Sequence, residues 1–592
     1  MYRYLWEGSV ANVSKLYKSN VRTQLNALLF ASSIALSACG GGGSSSSAPP
    51  TAGPPPPPPV SKAFSTPETT SVFLGKATFG GTETQVATLA DTEVSDWIVS
   101  EFAKPAHEFL PEILQEIEAL PDGERLHIRR IPDVFLDHAI AGDDQLRTRM
   151  VFALSEILVT SIEGSLSNKP ATMAHYMDVL STNAFGNYRE LLEDVTYSPA
   201  MAIYLTYLRN RKGNPEKGRV PDENYARELM QLFTIGVVEL NLDGTPRLDG
   251  SGNQIETYTN DDIVGLSKVF TGLSTQGSDF WSINEDPTGI YNPLVMFPNY
   301  HSELEKTFLG TTIPAGTSGD DSIDQALDII FNHPNMAPFF SRQLIQRFVS
   351  SNPNPSYVQR VSAAFEAGTF TLPDGQTVGD GRRGDLKATL AAVLLDDEAL
   401  QDADNAPAEF GKIREPILRF VHWARIFGET TPDAGDERLL KNGNLIGQFP
   451  FSSKSVFNFY RPGYVAPGTA TGEAGLTAPE LQIINESSAI GYINFINEFI
   501  YNFSSTYSDD PDGGVNADYS SLLEIADDEQ ALVDELDMLL TGSSLSNESK
   551  TNMVNLLKEI PISTEAANED KLSRVHLAVS MTMTDPGYIV QR

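Results

Sequence analysis

Apolar and polar residues follow a helical period along much of this chain, and the clearest case runs from Val220 to Gly236. At about 100° per residue, Pro221 and Asp222 are typical of a helix start and Gly236 of a helix end. The apolar half of the wheel carries Tyr225, Ala226, Leu229, Met230, Leu232 and Phe233. The polar half carries Glu223, Asn224, Arg227, Glu228, Gln231 and Thr234. The pattern therefore predicts one amphipathic helix with an acid, a base and amides on a single face.

The same periodicity predicts helices elsewhere in the chain, including one that starts at Asp261 and one with Pro334 in its first turn. Further helices are predicted over Leu146–Ser161, Asp385–Asp396, Ile413–Phe427, Pro479–Phe503 and Lys571–Met583. Strand patterns are few and short, and the best is Val237–Tyr258, two extended runs with Gly-containing turns. We predict a mainly α fold, a large multi-helix globular body with small β-hairpin excursions.

The first 38 residues have the features of a secretory signal. Lys15, Lys18 and Arg22 precede a short apolar run, Leu25–Ala35, and the sequence Leu-Ser-Ala-Cys ends at Cys39. This ending resembles the bacterial lipobox, in which the cysteine is diacylated and becomes the new N-terminus. The alternative is a plain signal peptide with an incidental cysteine. We favour lipidation because Cys39 is the only cysteine in the chain.

Residues 39–63 combine glycines and serines with a proline block, Pro54–Pro59, and are predicted to be a tether. The body, residues 64–592, is long enough for one large core or for two lobes divided near residue 470. Gly40 resembles the residue found after the cysteine of lipoproteins sent to an outer membrane. The sequence thus predicts a protein anchored to a membrane of the cell envelope through Cys39.

Charge and composition argue against several classes of partner and site. The net charge of −36 disfavours nucleic acid and anionic membrane surfaces. A single cysteine excludes an internal disulfide and a cysteine-based metal site. The chain has no Gly-x-Ser-x-Gly, Walker-type or His-Glu-x-x-His motif, and its eight histidines are scattered. No metal site is predicted, and the sequence identifies no cofactor.

The first candidate site is the polar face of the helix at 220–236. Asn224, Arg227 and Glu228 share this face, because their spacings are three and four residues. Arg227 can hold an anionic group, and Glu228 can act as a general base or acid. The alternative is a solvated face on which Glu223 and Arg227 form an ordinary i,i+4 ion pair.

Two histidines are further candidates. His301 is followed by Glu305 and Lys306, a pair able to tune a side chain that titrates near neutral pH. His333 precedes Pro334, where capping or packing is the more common role for a histidine. The predicted catalytic set is therefore Asn224, Arg227, Glu228, His301 and Lys306.

The loop Arg209–Arg219 is the one basic island in an acidic chain. Arg209, Arg211 and Lys212 are predicted to attract a phosphate, sulfate or carboxylate towards the start of the following helix. The alternative is a solvated loop that neutralises nearby acids. Residues 249–253 and 509–514 faintly resemble calcium loops, but neither has the full ligand spacing, and turn chemistry explains both.

A series of ordered motifs resembles the bacterial domain-of-unknown-function 1800 (DUF1800) family. The commonest family pattern has Glu and His where this chain has Gln231 and Phe233, which argues against a metal bound by those two residues. The matching motifs span nearly all of the body. They are Ala77–Gly80, Asn224–Met230, Tyr258–Thr259 with Asp262, Phe270–Gly272, His301 with Glu305–Gly310, His333–Asn335, Arg383–Ala388, Arg414–Pro416, Ser455–Gly463 and Tyr588–Arg592.

The resemblance implies no established activity, and two functions remain open. Members of the family are often encoded beside a DUF1501 protein, which looks like the alkaline phosphatase and sulfatase superfamily. This association favours a tethered scaffold or partner subunit that works with such a protein. The alternative is an envelope hydrolase or transferase that acts on an anionic or polymeric substrate through the polar face of residues 223–234.

Overall fold

Helices of one to five turns make up most of the structure, as the helical periodicity predicts. This computed structural model describes residues 64–277, 279–282, 290–401, 406–430, 445–501 and 515–592. The predicted signal, Cys39, the tether and the calcium-like loop at 509–514 lie outside the described residues. None of the described helices is long and apolar enough to cross a membrane.

The helices of the first half of the body are α1 (Pro67–Ala77), α2 (Glu83–Leu89), α3 (Val94–Ala103), α4 (Leu110–Ala119), α5 (Arg130–Ala141), α6 (Gln145–Ile157), α7 (Pro170–Asn183), α8 (Tyr188–Tyr197), α9 (Pro199–Tyr204), α10 (Asn224–Glu228) and α11 (Asn260–Ser267). Those of the second half are α12 (Gly319–Phe331), α13 (Met336–Phe348), α14 (Pro355–Ala367), α15 (Leu386–Leu395), α16 (Pro416–Phe427), α17 (Ala470–Glu473), α18 (Glu486–Ile500), α19 (Ser520–Ile525), α20 (Glu529–Thr541), α21 (Asn547–Lys558), α22 (Ala567–Thr584) and α23 (Pro586–Ile589).

Strands in the described residues are at most three residues long and pair only in twos, always antiparallel. The pairs are β1 (Leu273–Ser274) with β2 (Val295–Met296), β3 (Lys306–Phe308) with β4 (Thr311–Ile313), β5 (Phe370–Thr371) with β6 (Thr377–Val378), β7 (Lys412–Ile413) with β10 (Val590–Gln591), and β8 (Gly428–Thr430) with β9 (Val515–Ala517). The mainly α prediction is confirmed.

Local signals explain several helix ends. Asp385 caps α15 by accepting a hydrogen bond from the Ala388 N–H at 2.8 Å, so the predicted helix at 385–396 is confirmed almost to the residue. The predicted helix at 479–503 is instead divided into a 3₁₀ turn, Pro479–Gln482, and α18. The division follows from Asn485, whose side chain accepts hydrogen bonds from two backbone N–H groups and so starts a new helix.

The predicted hairpin at 237–258 is less regular than expected. It contains only isolated antiparallel bridges, Val238 with Glu256, Leu240 with Pro246 and Leu248 with Gln254. The regular hairpin is β3–β4, which the strand pattern did not single out. Leu309 and Gly310 connect its strands with φ angles of 48° and 71°, as a tight two-residue turn requires.

The core is one large apolar cluster that runs from Phe64 to Tyr588. Helix α6 lies inside it, and every residue from Gln145 to Ile157 is buried, charged ones included. Helices on the two sides of residue 470 pack together, since α20 lies against α1 and β10 pairs with β7. Residues Pro59–Arg592 accordingly form one compact unit.

Candidate functional site

The helix predicted at 220–236 forms, but its start and its middle differ from the prediction. It begins at Asn224, where the Asp222 carboxylate accepts the backbone N–H of Asn224 at 2.8 Å. From Leu229 to Thr234 it widens into a π turn, and the Thr234 hydroxyl donates to the carbonyl of Leu229, five residues back. A π turn inserted in a helix is frequent at functional sites. Gly236 ends the helix with a φ of 68°, as predicted.

The polar face of this helix is divided between solvent and the interior. Arg227 and Glu223 keep 40% and 34% of their side chains exposed and pair at 3.4 Å, the ordinary ion pair of the alternative interpretation. Glu228 is buried, and its Oε2 atom has no hydrogen-bond partner among the described atoms. Burial raises the pKa of Glu228, and the neighbouring charge of Arg227 opposes the rise. The Asn224 amide donates to the carbonyl of Leu205 at 3.3 Å.

His301 and Lys306 lie beside another part of the body. The His301 Nδ1 atom is 2.8 Å from the carbonyl of Thr271, and burial lowers the histidine pKa. Lys306 starts β3, its ammonium donates to the Leu304 carbonyl at 3.3 Å, and burial lowers its pKa. Across the described ranges, no hydrogen bond or ion pair joins either residue to Asn224, Arg227 or Glu228. The structure does not bring the predicted catalytic set together, and the role of each member stays a prediction.

The three predicted anion-binding residues lie in different local environments. The Arg211 guanidinium lies 4.9 Å from the centre of the Trp281 ring, and the Lys212 ammonium is 3.6 Å from a carboxylate oxygen of Glu303. Arg209 has a φ of 62°, and two of its guanidinium nitrogens are buried with no hydrogen-bond partner in the part of the chain that the structure describes. Anion binding by this loop stays a prediction.

The remaining sequence candidates have local structural roles. His333 accepts the backbone N–H of Asn335 at 3.1 Å, and Asp249 accepts those of Ser251 and Asn253, as in a polar turn. Among the described residues, no three His, Cys, Asp or Glu side chains are grouped so that they can hold a metal ion.

A buried cluster of ionisable side chains lies at the centre of the body, and the sequence analysis did not find it. Its members are Arg149 and Glu156 of α6, Arg347 of α13, Lys412 of β7, Glu415 before α16, and Glu480. They number three acids and three bases, and each of them is buried. Pairing of this kind is the condition under which charges persist in a protein interior.

Specific contacts connect the cluster. Arg347 is 3.4 Å from Glu156, and Lys412 is 3.1 Å from Glu415 and 3.7 Å from Glu480. The Gln448 amide lies between the two central carboxyls, donating to Glu415 and, at 3.2 Å, to Glu156. The ammonium of Lys412 also donates to the carbonyl of Arg347 at 2.9 Å.

The two central carboxyls have opposite protonation behaviour. Burial raises the pKa of Glu156 to about 7, because Arg347 offsets the loss of hydration only in part and Glu415 adds a negative charge. Burial would raise the pKa of Glu415 as well, but Lys412, Arg347 and Arg149 lower it to about 2. Carboxyls whose environments separate their pKa values in this way are a recurring basis of acid–base chemistry.

A small pocket reaches Glu156 from the protein surface. Asn458 and Phe459 at its edge are half-buried, and the Asn458 amide donates to Glu156 at 3.2 Å. Tyr204 interacts both with the pocket and with the helix at residues 224–234, which we call the motif helix. Burial raises its pKa, a hydrogen bond from Ser453 at the pocket lowers it, and the charge of Glu228 raises it. Among the predicted catalytic residues, Glu228 is therefore the one whose charge acts on Tyr204.

Sequence signals for the cluster exist but are local. Arg414–Pro416 and Ser455–Gly463 were matched as family motifs, and they contain Glu415, Asn458 and Tyr460. Glu156 lies in a predicted helix, but nothing in the helical pattern distinguishes a buried acid from a solvated one. No spacing rule connects residues that are hundreds of positions apart.

Comparisons with known proteins bear on the family alone. No curated protein and no solved structure matches the chain. A match to a protein family covers residues 72–590, an interval that contains Glu156, Glu228, Arg347, Glu415 and nearly all of the motifs quoted above. The resemblance stated from those motifs is thereby confirmed, and the chain belongs to the family described as "Protein of unknown function (DUF1800)".

Proposed function

We propose that the protein is a cell-envelope lipoprotein that works as a tethered scaffold or partner subunit. The observation that carries this proposal is an exposed basic and apolar surface around the loop 209–219. We call it the loop face and define it by Arg211, Lys212, Val220, Trp281 and Leu304. It belongs to a chain whose net charge is −36.

Backbone and side-chain contacts keep the loop face contiguous. The Lys212 N–H donates to the carbonyl of Tyr300 at 2.8 Å, and the Arg219 side chain donates to the carbonyl of Lys212 at 3.0 Å. Three large apolar side chains remain in water next to these cations. They are Val220, 75% exposed, Trp281, 48%, and Leu304, 65%.

Such a surface fits a protein partner with acidic groups around an apolar patch. Trp and Arg are the residues most enriched where binding energy concentrates in protein interfaces. A basic patch on an acidic protein also orients an acidic partner and suppresses contact with other molecules, because the rest of the surface repels it. The phosphatase- or sulfatase-like DUF1501 protein implied by the family resemblance is the partner that we propose.

The test measures the affinity between the full chain and the DUF1501-like protein of the same organism, both purified in detergent. We expect Trp281→Ala to weaken binding by about 30-fold or more, the effect of removing an interface residue worth about 2 kcal/mol. Arg211→Glu should weaken it further, and the affinity of this variant should fall less steeply with added salt, because an attractive charge has become a repulsive one. Leu556→Ala is the matched control, because Leu556 is comparably exposed on another helix. Equal affinity of all three variants and the wild type would refute this use of the loop face.

A further inference from the structure

The pocket at Glu156 has features of a ligand site that the scaffold function does not use. Glu156 is buried, and its Oε1 atom accepts hydrogen bonds from Gln448 and Asn458. Its Oε2 atom, 3.4 Å from Arg347, and the Thr160 hydroxyl have no hydrogen bond to any described atom. The buried Thr160 hydroxyl thus remains available to a bound group, while Glu156 Oε2 is engaged in its ion pair with Arg347.

The rest of the lining suits an uncharged ligand. Phe152, Phe451 and Phe459 supply aromatic surface, and Ser155 and Ser453 add hydroxyl groups. No lysine or arginine lines the pocket, and the cations of the cluster behind it are matched by an equal number of acids. An anion would therefore gain little electrostatic attraction in this pocket. A ring with apolar faces and hydroxyl groups could instead pack against the aromatic side chains and form hydrogen bonds with the hydroxyl groups.

The loop that closes the pocket has left-handed backbone at both of its ends, and at Phe451 this conformation is strained. Phe451 and Asn458 have φ angles of 56° and 60°, in the left-handed region that an aromatic side chain rarely occupies. Strained residues persist where the surroundings hold them, and they gather at binding sites and at segments that move. Both of these residues line the pocket. Between them, Lys454, Ser455 and Phe457 are exposed.

The hydrogen bonds that join this loop to other segments lie near its two ends, at Phe451, Ser453 and Asn458. The Ile162 N–H donates to the carbonyl of Phe451 at 2.8 Å, and the Ser161 hydroxyl donates to that of Ser453 at 2.7 Å. The closed pocket has a volume of about 10 Å³, enough for one water molecule. A larger ligand enters only when residues 452–457 move away.

We propose that this pocket is an acid–base site in which Glu156 exchanges a proton with an oxygen atom of a neutral, hydroxyl-bearing group, such as a sugar residue, that enters when residues 452–457 open. In hydrolysis of a C–O bond, the carboxyl proton passes to the leaving oxygen, which keeps the bonding electron pair. The resulting carboxylate then accepts a proton from the water whose oxygen forms the new bond to carbon. Atoms and charge balance, and water is the only co-reactant.

The charged neighbours suit Glu156 to this role. Arg347 favours its ionised form, while burial and the ionised Glu415 favour its protonated form. Lys412 and Arg149 lower the pKa of Glu415, and Lys412 and Gln448 both contact its carboxyl. Of the two central carboxyls, Glu156 therefore holds a proton more readily, and it is the one that lines the pocket.

The test uses an uncharged diazoacetyl ester, which esterifies a carboxyl only in its protonated form. The carboxyl proton moves to the diazo carbon, dinitrogen leaves, and the carboxyl oxygen takes the new bond to carbon. We treat the full chain with this reagent from pH 5 to pH 8 and locate the label by peptide mass spectrometry. We expect Glu156 to be labelled several-fold more than other carboxyls at pH 6.5 and to lose this advantage above about pH 7.

Separate controls test the protonated state of Glu156 and the chemical class of the ligand. Glu156→Gln should lose this one label and no other. The pH dependence of labelling in the wild type tests the protonation of Glu156 without a variant. An unlabelled Glu156 at every pH would overturn the proposal, since the carboxyl would then be ionised or closed to ligands. A neutral chito-oligosaccharide should protect Glu156 at least threefold, and inorganic sulfate should not. Protection by sulfate, or by neither probe, would refute the neutral ligand.

Discussion

Replacing each central carboxyl of the buried cluster by its amide should have opposite consequences. Glu415 is ionised and fully buried, 3.1 Å from the Lys412 ammonium. In Glu415→Gln, Lys412 keeps only the more distant Glu480 of its two carboxylate partners, at 3.7 Å, and the net charge of the cluster rises by one. Breaking a buried pair in this way costs about 3–5 kcal/mol. Unfolding free energies from urea titration at pH 7 measure this loss.

Glu156→Gln should behave differently, because the glutamine resembles the protonated acid. A carboxyl whose pKa is higher in the folded state than in the unfolded chain is destabilising once the pH exceeds its unfolded value. The wild type should therefore lose stability as the pH rises from about 4.5 to about 7, and the loss should level off above that. At about 1.36 kcal/mol for each pH unit of this interval, the total is roughly 3 kcal/mol.

The comparison is best made at pH 5 and pH 8 with the wild type beside both variants. At pH 5 we expect Glu156→Gln to lie within about 1 kcal/mol of the wild type. At pH 8 it should have gained roughly 3 kcal/mol relative to the wild type. A loss above about 3 kcal/mol for Glu156→Gln at pH 5 would show that Glu156 is ionised in the fold. A neutral Glu415→Gln would show that the cluster does not depend on its ion pairs.

Three further predictions concern the motif helix and the anchor. Gly236→Ala should lower the free energy of unfolding by about 2–4 kcal/mol, because the residue has a φ of 68° and the added Cβ would lie 2.6 Å from the Phe339 ring. Gly250→Ala is the matched control in the same thermal melts, because its added Cβ would meet no atom within 4 Å. Glu228→Gln should keep or raise stability at pH 8, because burial raises the pKa of Glu228. If this variant also complements a gene deletion fully, Glu228 is not an acid or base of the protein's function. Cys39→Ser should abolish labelling by a fatty-acid analogue and release the protein into the soluble fraction, and equal labelling of both proteins would contradict lipid attachment.

Helix positions were predictable because their signals are short in range. Apolar residues three and four apart defined α6, α15 and α22, and Asp385 marked the start of α15 by its capping group. The π turn at 229–234 was not predicted, because the pattern of apolar and polar residues does not specify whether each N–H bonds to the carbonyl four or five residues earlier. That choice depends on the hydroxyl of Thr234 and on the glycine that follows, and a wheel drawn at 100° per residue does not represent it.

The candidate site was only partly predictable, for a different reason. The polar residues of the motif helix were correctly assigned to one face, but packing decided which of them are exposed to solvent and which are buried. Arg227 remained at the surface with Glu223, and Glu228 was buried beside Tyr204. His301 and Lys306, grouped with them from the sequence, belong to a segment that folds beside Thr271 and Leu304.

By itself, the sequence determined the helical class of the body, most helix positions and the family, and it predicts the leader, the tether and the acylated cysteine. Each of these depends on neighbouring residues or on ordered motifs, which are present in the chain before it folds. Only the tertiary structure decided that Glu156, Arg347, Glu415 and Glu480 meet. The energy of an ion pair depends on distance and on exclusion of water, and both are set when segments that are tens to hundreds of residues apart pack into one core.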